Sequence, residues 1–309
     1  MSCLEELYGR FPVRNSPEEK AAFRTWAKEE TEKSGYAAQE EVSEGHINLV
    51  IGDPKQAKVL FTAHYDTPRR ALLPNILLPA NKALKMAYTF GTLLPMLALS
   101  VAAGVLAGQA AGGFEAIGGR LVGLLVYGAL YFGLFFLLFR GPANQANKND
   151  NTSGAAAVLD LAASFRGRPD VALILFDDEE KGKKGSKAWT NTYPAFKEGL
   201  LAINMDCVGY GEHYIVSVPD GARQDPAWPS IQSALEDIGA KILPVEKTSI
   251  NSDQKNFVKG VGICACLYKG NIYYTPRIHT VRDTLASGET IDRLTAALAA
   301  GVEGKTFLS

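Results

Sequence analysis

Two histidines and a scattered set of carboxylates are the residues most able to do chemistry. His64 is followed two residues later by Asp66, Asp150 sits between Asn149 and Asn151, Glu179 and Glu180 end an acidic run opened by Asp177, and Asp206 and His279 stand apart. Two imidazoles (His64, His279) with three carboxylates (Asp150, Glu180, Asp206) form a donor set suited to zinc, and five donors suit two ions better than one. In such a site one carboxylate bridges ions about 3.5–4 Å apart, and each ion keeps His and carboxylate ligands of its own. Asp66 is spaced to accept the second ring N–H of His64. Glu179, beside a ligand but pointing differently, is placed to carry a proton. Taken singly these features mean little, since a double Glu is usually a solvated face and Asn-Asp-Asn usually a turn.

Their positions at predicted strand ends give the set its weight. Apolar runs at 58–63, 171–176 and 200–205 lead directly into His64, Asp177 and Asp206. Runs of this length fit strands covered on both faces, and open α/β sheets gather reactive groups at the carboxyl ends of strands. Asp150 precedes a small-residue helix beginning at Ala155, and His279 precedes an amphipathic helix over roughly 288–303. The expected fold is α/β, a mixed and mostly parallel central sheet flanked by helices, with an inserted α-helical hairpin. One discontinuous unit then spans 1–70 and 141–309, and the insertion spans 71–140.

The chain is long enough for a large core: 309 residues, 47% hydrophobic and 21% charged, which excludes wholesale disorder. Charge is balanced, 32 Lys+Arg against 33 Asp+Glu, which argues against a nucleic-acid partner. Four cysteines are too few for a disulfide framework, and Cys264 and Cys266 read as buried thiols. Residues 86–114 and 121–139 contain no charge, and each is long enough to cross a bilayer core of about 30 Å. Gly104-x-x-x-Gly108 and Gly119-x-x-x-Gly123 offer faces for close helix approach. We therefore expect a two-span hairpin meeting the lipid bilayer over 84–139. Arg69, Arg70, Lys82, Lys85, Arg140 and Lys148 flank its ends against Arg120 in its turn, which puts the remaining chain on the cytoplasmic side of a cell membrane. The opposing reading of the insertion is a lid or dimer arm.

Five ordered motifs carry a family resemblance: His64-Tyr65-Asp66-Thr67, Asp150-Asn151-Thr152-Ser153-Gly154, Glu179-Glu180-x-Gly182-x-x-Gly185-Ser186, Asp206 and His279-Thr280-x-x-Asp283-Thr284. Over roughly 17–70 and 145–305 the chain resembles the M28 metallopeptidases, co-catalytic zinc aminopeptidases of phosphorylase/hydrolase-like fold. The resemblance implies two Zn2+ bridged by Asp150, with His64 and Asp206 completing one ion and Glu180 and His279 the other. It further implies that Asp66 orients His64, that Glu179 is the general base, and that the substrate is a peptide with a free N-terminus. Because the hairpin leaves and rejoins the chain between two ligand motifs, the site is expected to open toward the bilayer surface and to take hydrophobic or membrane-associated peptides. Two features depart from the family: the loop between the first two motifs holds the whole apolar hairpin, and the later Ser-Asp-His-x-x-Phe element appears as Ser252-Asp253-Gln254-Lys255-Asn256-Phe257. Asp253, Gln254 and Tyr268 are the candidate substrate contacts, Tyr268 alternatively packing in the core with Tyr273 and Tyr274. Other readings are a one-zinc glutaminyl-cyclase-like acyltransferase, disfavoured because Ile278 stands where cyclases place a tryptophan, an N-acyl amidohydrolase, and a receptor domain that has lost its chemistry. His46, His213 and the Lys181, Lys183, Lys184 cluster read as surface or strand-edge residues.

Overall fold

A computed structural model describes residues 3–73 and 75–304. Helix α1 (Leu4–Arg10) and α2 (Pro17–Lys33) lead into a hairpin of β1 (Ala38–Ser43) and β2 (His46–Ile51). Helix α2 starts where a capping box allows: Glu19 N–H donates to Ser16 Oγ, Ser16 N–H donates back to Glu19, and Pro17 opens the first turn. Strand β3 (Val59–His64) and the short β4 (Asn75–Leu77) precede the long helices α3 (Lys82–Ala110) and α4 (Ile117–Phe139). There follow α5 (Gly154–Phe165), β5 (Val171–Phe176), α6 (Lys184–Thr192), α7 (Pro194–Gly199) and β6 (Leu201–Met205). The chain then forms β7 (His213–Val218), α8 (Asp220–Arg223), α9 (Trp228–Asp237), β8 (Lys241–Pro244), β9 (Gly260–Lys269), β10 (Ile272–Ile278) and α10 (Gly288–Glu303).

The strands join in one sheet of order β1-β2-β5-β3-β6-β9-β10-β4, with β7 and β8 branching from β9. Its centre, β5-β3-β6-β9, is parallel, while β1, β2, β7, β10 and β4 add antiparallel margins. Side chains alternate between faces, so Phe61, Leu173 and Ile203 join a core with Phe23, Ala156 and Leu294, whereas Leu60, Ile174 and Ala202 pack with Trp189 and Phe257. Burial on both faces explains why these strands read as continuous apolar runs. Gly154 lets α5 press its N-terminus on the end of β6, because a Cβ there would collide with the Met205 carbonyl and the Asn151 side chain.

Helices α3 and α4 are long and apolar enough to cross a membrane, and only 17% and 6% of their most apolar windows are buried in protein. They pair through the expected glycines: a Cβ on Gly104 would lie 2.7 Å from the Gly123 carbonyl oxygen, and one on Gly108 would lie 2.9 Å from that of Gly119. The outer surface shows Phe90, Leu106, Leu124, Leu125, Phe132 and Phe136 to the surroundings. A short antiparallel ladder closes the hairpin base: Arg70 N–H donates to Pro142 O (2.8 Å), Gly141 N–H to Arg70 O (2.9 Å), and Leu72 N–H to Leu138 O (2.9 Å) at the end of α4. Ala71 N–H donates to His279 O (2.7 Å), so the insertion is laced to a predicted ligand residue.

Candidate active site

The predicted ligands arrive from separate elements and converge. His64 ends β3, Glu179 and Glu180 follow β5, Asp206 follows β6, His279 follows β10, and Asp150 lies in the loop before α5. His64 Nε2 stands 3.6 Å from Asp150 Oδ1 and 3.9 Å from Asp206 Oδ1. His279 Nε2 stands 3.0 Å from Asp150 Oδ2 and 3.5 Å from Glu180 Oε1. Two groups of donors thus share Asp150, one oxygen facing each imidazole, with the donor atoms of each group within 4.8 Å of one another.

The surrounding hydrogen bonds hold this arrangement. Asp66, buried behind the site, accepts the Glu179 N–H on Oδ1 (3.0 Å) and the Glu180 N–H on Oδ2 (3.2 Å). Its main-chain oxygen is 3.1 Å and its Oδ1 3.3 Å from His64 Nδ1, which leaves Nε2 free to ligate. Asp66 therefore sets the 179–180 turn as well as the imidazole, a second duty its spacing did not reveal. Asn151 locks the Asp150 loop to the end of β6, with its Oδ1 accepting from Gly154 N (3.0 Å) and Cys207 N (3.1 Å) and its Nδ2 donating to Met205 O (3.1 Å). Asp283 Oδ2 accepts the Asp150 N–H (3.0 Å). Buried Arg14 donates to Tyr65 O and to Thr152 Oγ1 (3.1 Å), stitching the N-terminal segment to both motif loops. Nothing in the local sequence marks Arg14, because its partners are remote. Asp178, Lys183, Cys207 and His279 all take left-handed backbone conformations (φ 50–60°), and such strain gathers at functional sites.

Electrostatics favour a cation. Burial raises Glu180 to about 8, and raises Glu179 and Asp206 as well, with neighbouring carboxylates adding to the effect. Burial also pushes His279 down, but Glu180 and Asp150 outweigh it and lift the imidazole to about 10. Glu180 Oε1 is buried without a hydrogen bond. Crowded acidic oxygens and two oriented imidazoles fit divalent zinc, which relieves the repulsion that otherwise holds protons on these carboxyls.

A cavity of about 310 Å³ lies over Asp150, Glu179, Glu180, Asp206 and His279, walled by Leu77, Ile250 and Cys264. The weaker candidates lie elsewhere. Asp253 is buried, accepting Ser186 Oγ at 2.5 Å, and burial raises it to about 7. Gln254 is a core amide, its Oε1 accepting from Asn204 Nδ2 (3.2 Å) while its side chain rests on Gly262. Neither lines the cavity. Tyr268 does not line it either: the residue is 46% exposed and packs against Tyr273 with ring centroids 4.6 Å apart and planes tilted by 37°. His46 is less peripheral than expected, since its Nδ1 lies 2.9 Å from Asp178, which also binds Lys20 (2.5 Å) and Lys181 (2.8 Å).

Similar folds are known. A Zn-dependent exopeptidase from Parabacteroides distasonis aligns with TM-score 0.59 at 15% identity, covering 97% of this chain and 94% of its own. A glutaminyl cyclase from Porphyromonas gingivalis aligns at 0.57 and 13%, covering 97% and 95%. The LapA aminopeptidase of Legionella pneumophila aligns at 0.55 and 13%, covering 98% and 71%. No curated protein sequence matches the chain. The model of peptidase family M28 matches residues 143–302, more than half of the sequence and four of the five motifs. The chain belongs to peptidase family M28, the zinc metallopeptidases its motifs resemble.

Proposed function

We propose that the protein is a membrane-anchored, di-zinc aminopeptidase that removes N-terminal residues from peptides. The observation carrying this reading is the division of Asp150, with Oδ1 facing His64 and Oδ2 facing His279, while Asp206 and Glu180 join the two donor groups it shares. His64, Asp206 and Asp150 would hold one ion, and Glu180, His279 and Asp150 the other. Zinc in this site supplies Lewis acidity, polarising a carbonyl and acidifying water. Glu179 takes a proton from the attacking water and delivers it to the departing amine, and its raised affinity for protons suits that shuttle. Asp66 keeps the Glu179 main chain and the His64 ring in register throughout. The acidic cavity also favours a peptide's α-ammonium group, in keeping with attack near a free N-terminus.

The unit 1–70 with 141–309 carries the chemistry, and 71–140 is the anchor. Exposed apolar surface along both helices supports a bilayer around them, and the flanking Arg69, Arg70, Lys82, Lys85, Arg140 and Lys148 support a cytoplasmic catalytic unit. Zinc counting by elemental analysis of detergent-purified protein tests the central point. Two zinc ions per chain with release of N-terminal residues are expected. One ion with cyclisation of N-terminal glutamine would favour the glutaminyl-cyclase-like reading instead.

A further inference from the structure

A second cavity, of about 250 Å³, lies at the base of the hairpin and opens beside the first. Its walls come from both apolar helices, Tyr88, Thr92 and Leu93 of α3 facing Phe135 and Phe139 of α4. The two cavities share three residues, Asn75, Lys85 and His279, so the groove begins at a proposed metal ligand. Their charges differ in sign. The first cavity holds four carboxylates, Asp150, Glu179, Glu180 and Asp206, which outnumber Lys183 and the shared Lys85, whereas no carboxylate lines the second and Lys85 stands at the junction. Lys85 Nζ donates to Ile76 O (2.9 Å) and Asn75 Oδ1 (3.2 Å), and an ammonium has three protons to give. Among the described residues no carboxylate lies within ion-pair distance of it.

We propose that this groove is the subsite for the residue following the scissile bond, and that the preferred substrates are short peptides with a large apolar second residue. The inference rests on the aminopeptidase reading. The acidic cavity takes the ammonium end of the peptide, and the Lys85 charge turns that end away from the groove. The second side chain then lies among Leu93, Phe135 and Phe139, while Lys85 donates to the carboxylate of a dipeptide or the corresponding carbonyl of a longer chain. The insertion is thereby part of the specificity apparatus as well as the anchor, and Lys85 is a specificity-determining residue.

The test uses full-length, zinc-loaded protein in detergent with Leu-Phe and Leu-Gly as substrates. Burying a phenyl side chain favours Leu-Phe in kcat/KM by about ten- to a hundredfold, and Thr92→Trp, which fills the groove, collapses that ratio. Leu106→Trp, on the outer face, leaves the ratio alone. Lys85→Met removes the preference for Leu-Phe over its amide. In parallel, Leu-benzoylphenylalanine is photocrosslinked to the zinc-loaded Glu179→Gln variant, which leaves the peptide uncleaved, with adducts expected within 88–93 and 135–139. Cleavage of both peptides with no groove adducts and no change of ratio overturns the subsite while sparing the aminopeptidase. Groove adducts without any peptide cleavage show a groove that binds an apolar side chain but overturn the aminopeptidase, and with it the assignment of the groove to the residue after a scissile bond. Absence of both defeats both.

Discussion

Replacement of Asp66 by Asn probes the site through one buried carboxylate without replacing a proposed ligand. The carboxylate has an acceptor for each of two main-chain donors, Glu179 N–H on Oδ1 and Glu180 N–H on Oδ2, and the His64 ring adds a third neighbour at 3.3 Å. The amide has the same shape but only one oxygen, so its NH2 group must face one of the backbone N–H groups. One charge-assisted hydrogen bond is lost, worth about 1.5–3 kcal/mol, and a buried donor is left unpaired. The turn bearing Glu179 and Glu180 loosens, and His64 loses part of the hold that aims Nε2 at the site. Losing such an outer partner lowers metal affinity roughly 10–100-fold, or about 1.4–2.7 kcal/mol. Competition against a chromophoric chelator measures the affinity, while thermal melting of chelated protein reports the loosened turn separately. We expect Asp66→Asn to bind zinc at least tenfold more weakly and to melt at a lower temperature. Affinity within twofold of wild type would refute the reasoning, since it would mean that neither His64 nor the turn depends on this carboxylate.

Three further outcomes follow from the structure. Glu179→Gln keeps the main-chain hydrogen bond to Asp66 but removes the proposed proton carrier, so kcat is expected to fall about 10²–10⁴-fold with zinc content unchanged, and a wild-type rate would remove Glu179 from the mechanism. Gly104→Val places a side chain where a Cβ alone would be 2.7 Å from Gly123 O and 2.9 Å from Tyr127 Cβ, which forces α3 and α4 apart at a cost of about 1–3 kcal/mol; spin labels at Leu106 and Leu121 should separate and the melting temperature in detergent should drop. Burial lifts the Tyr36 hydroxyl to about 12, so the unfolded chain ionises first on raising the pH from 10. Stability from this group is present below about pH 10 and lost as the pH approaches 12; Tyr36→Phe should lose less over that window in paired melts, and parallel curves would count against a buried, protonated Tyr36.

Much of the site was legible because its chemistry is written locally. Apolar runs that end in His64, Asp177 or Asp206 are strands covered on both faces, and their carboxyl ends meet wherever neighbouring strands are parallel, as β5, β3, β6 and β9 are here. The length and purity of the two uncharged stretches likewise fixed α3 and α4, and their glycines marked the contact line. Strand β10 was not foreseen, because Pro276 interrupts its pattern; the proline is tolerated beside the short, irregular pairing with β4.

What only the tertiary structure decided are the partners separated widely in sequence. Arg14 meets Thr152 and Asp283 meets Asp150 across more than 130 residues, so no periodicity reports them. Gln254 and Tyr268 looked equally able to touch a substrate, yet packing sent one into the core and the other to the surface. The sequence by itself settled which side chains could ligate, since donor chemistry belongs to the residue. Which oxygen of Asp150 faces which imidazole, and where the hairpin stands over His279, depend on distances that only the assembled sheet and its loops define.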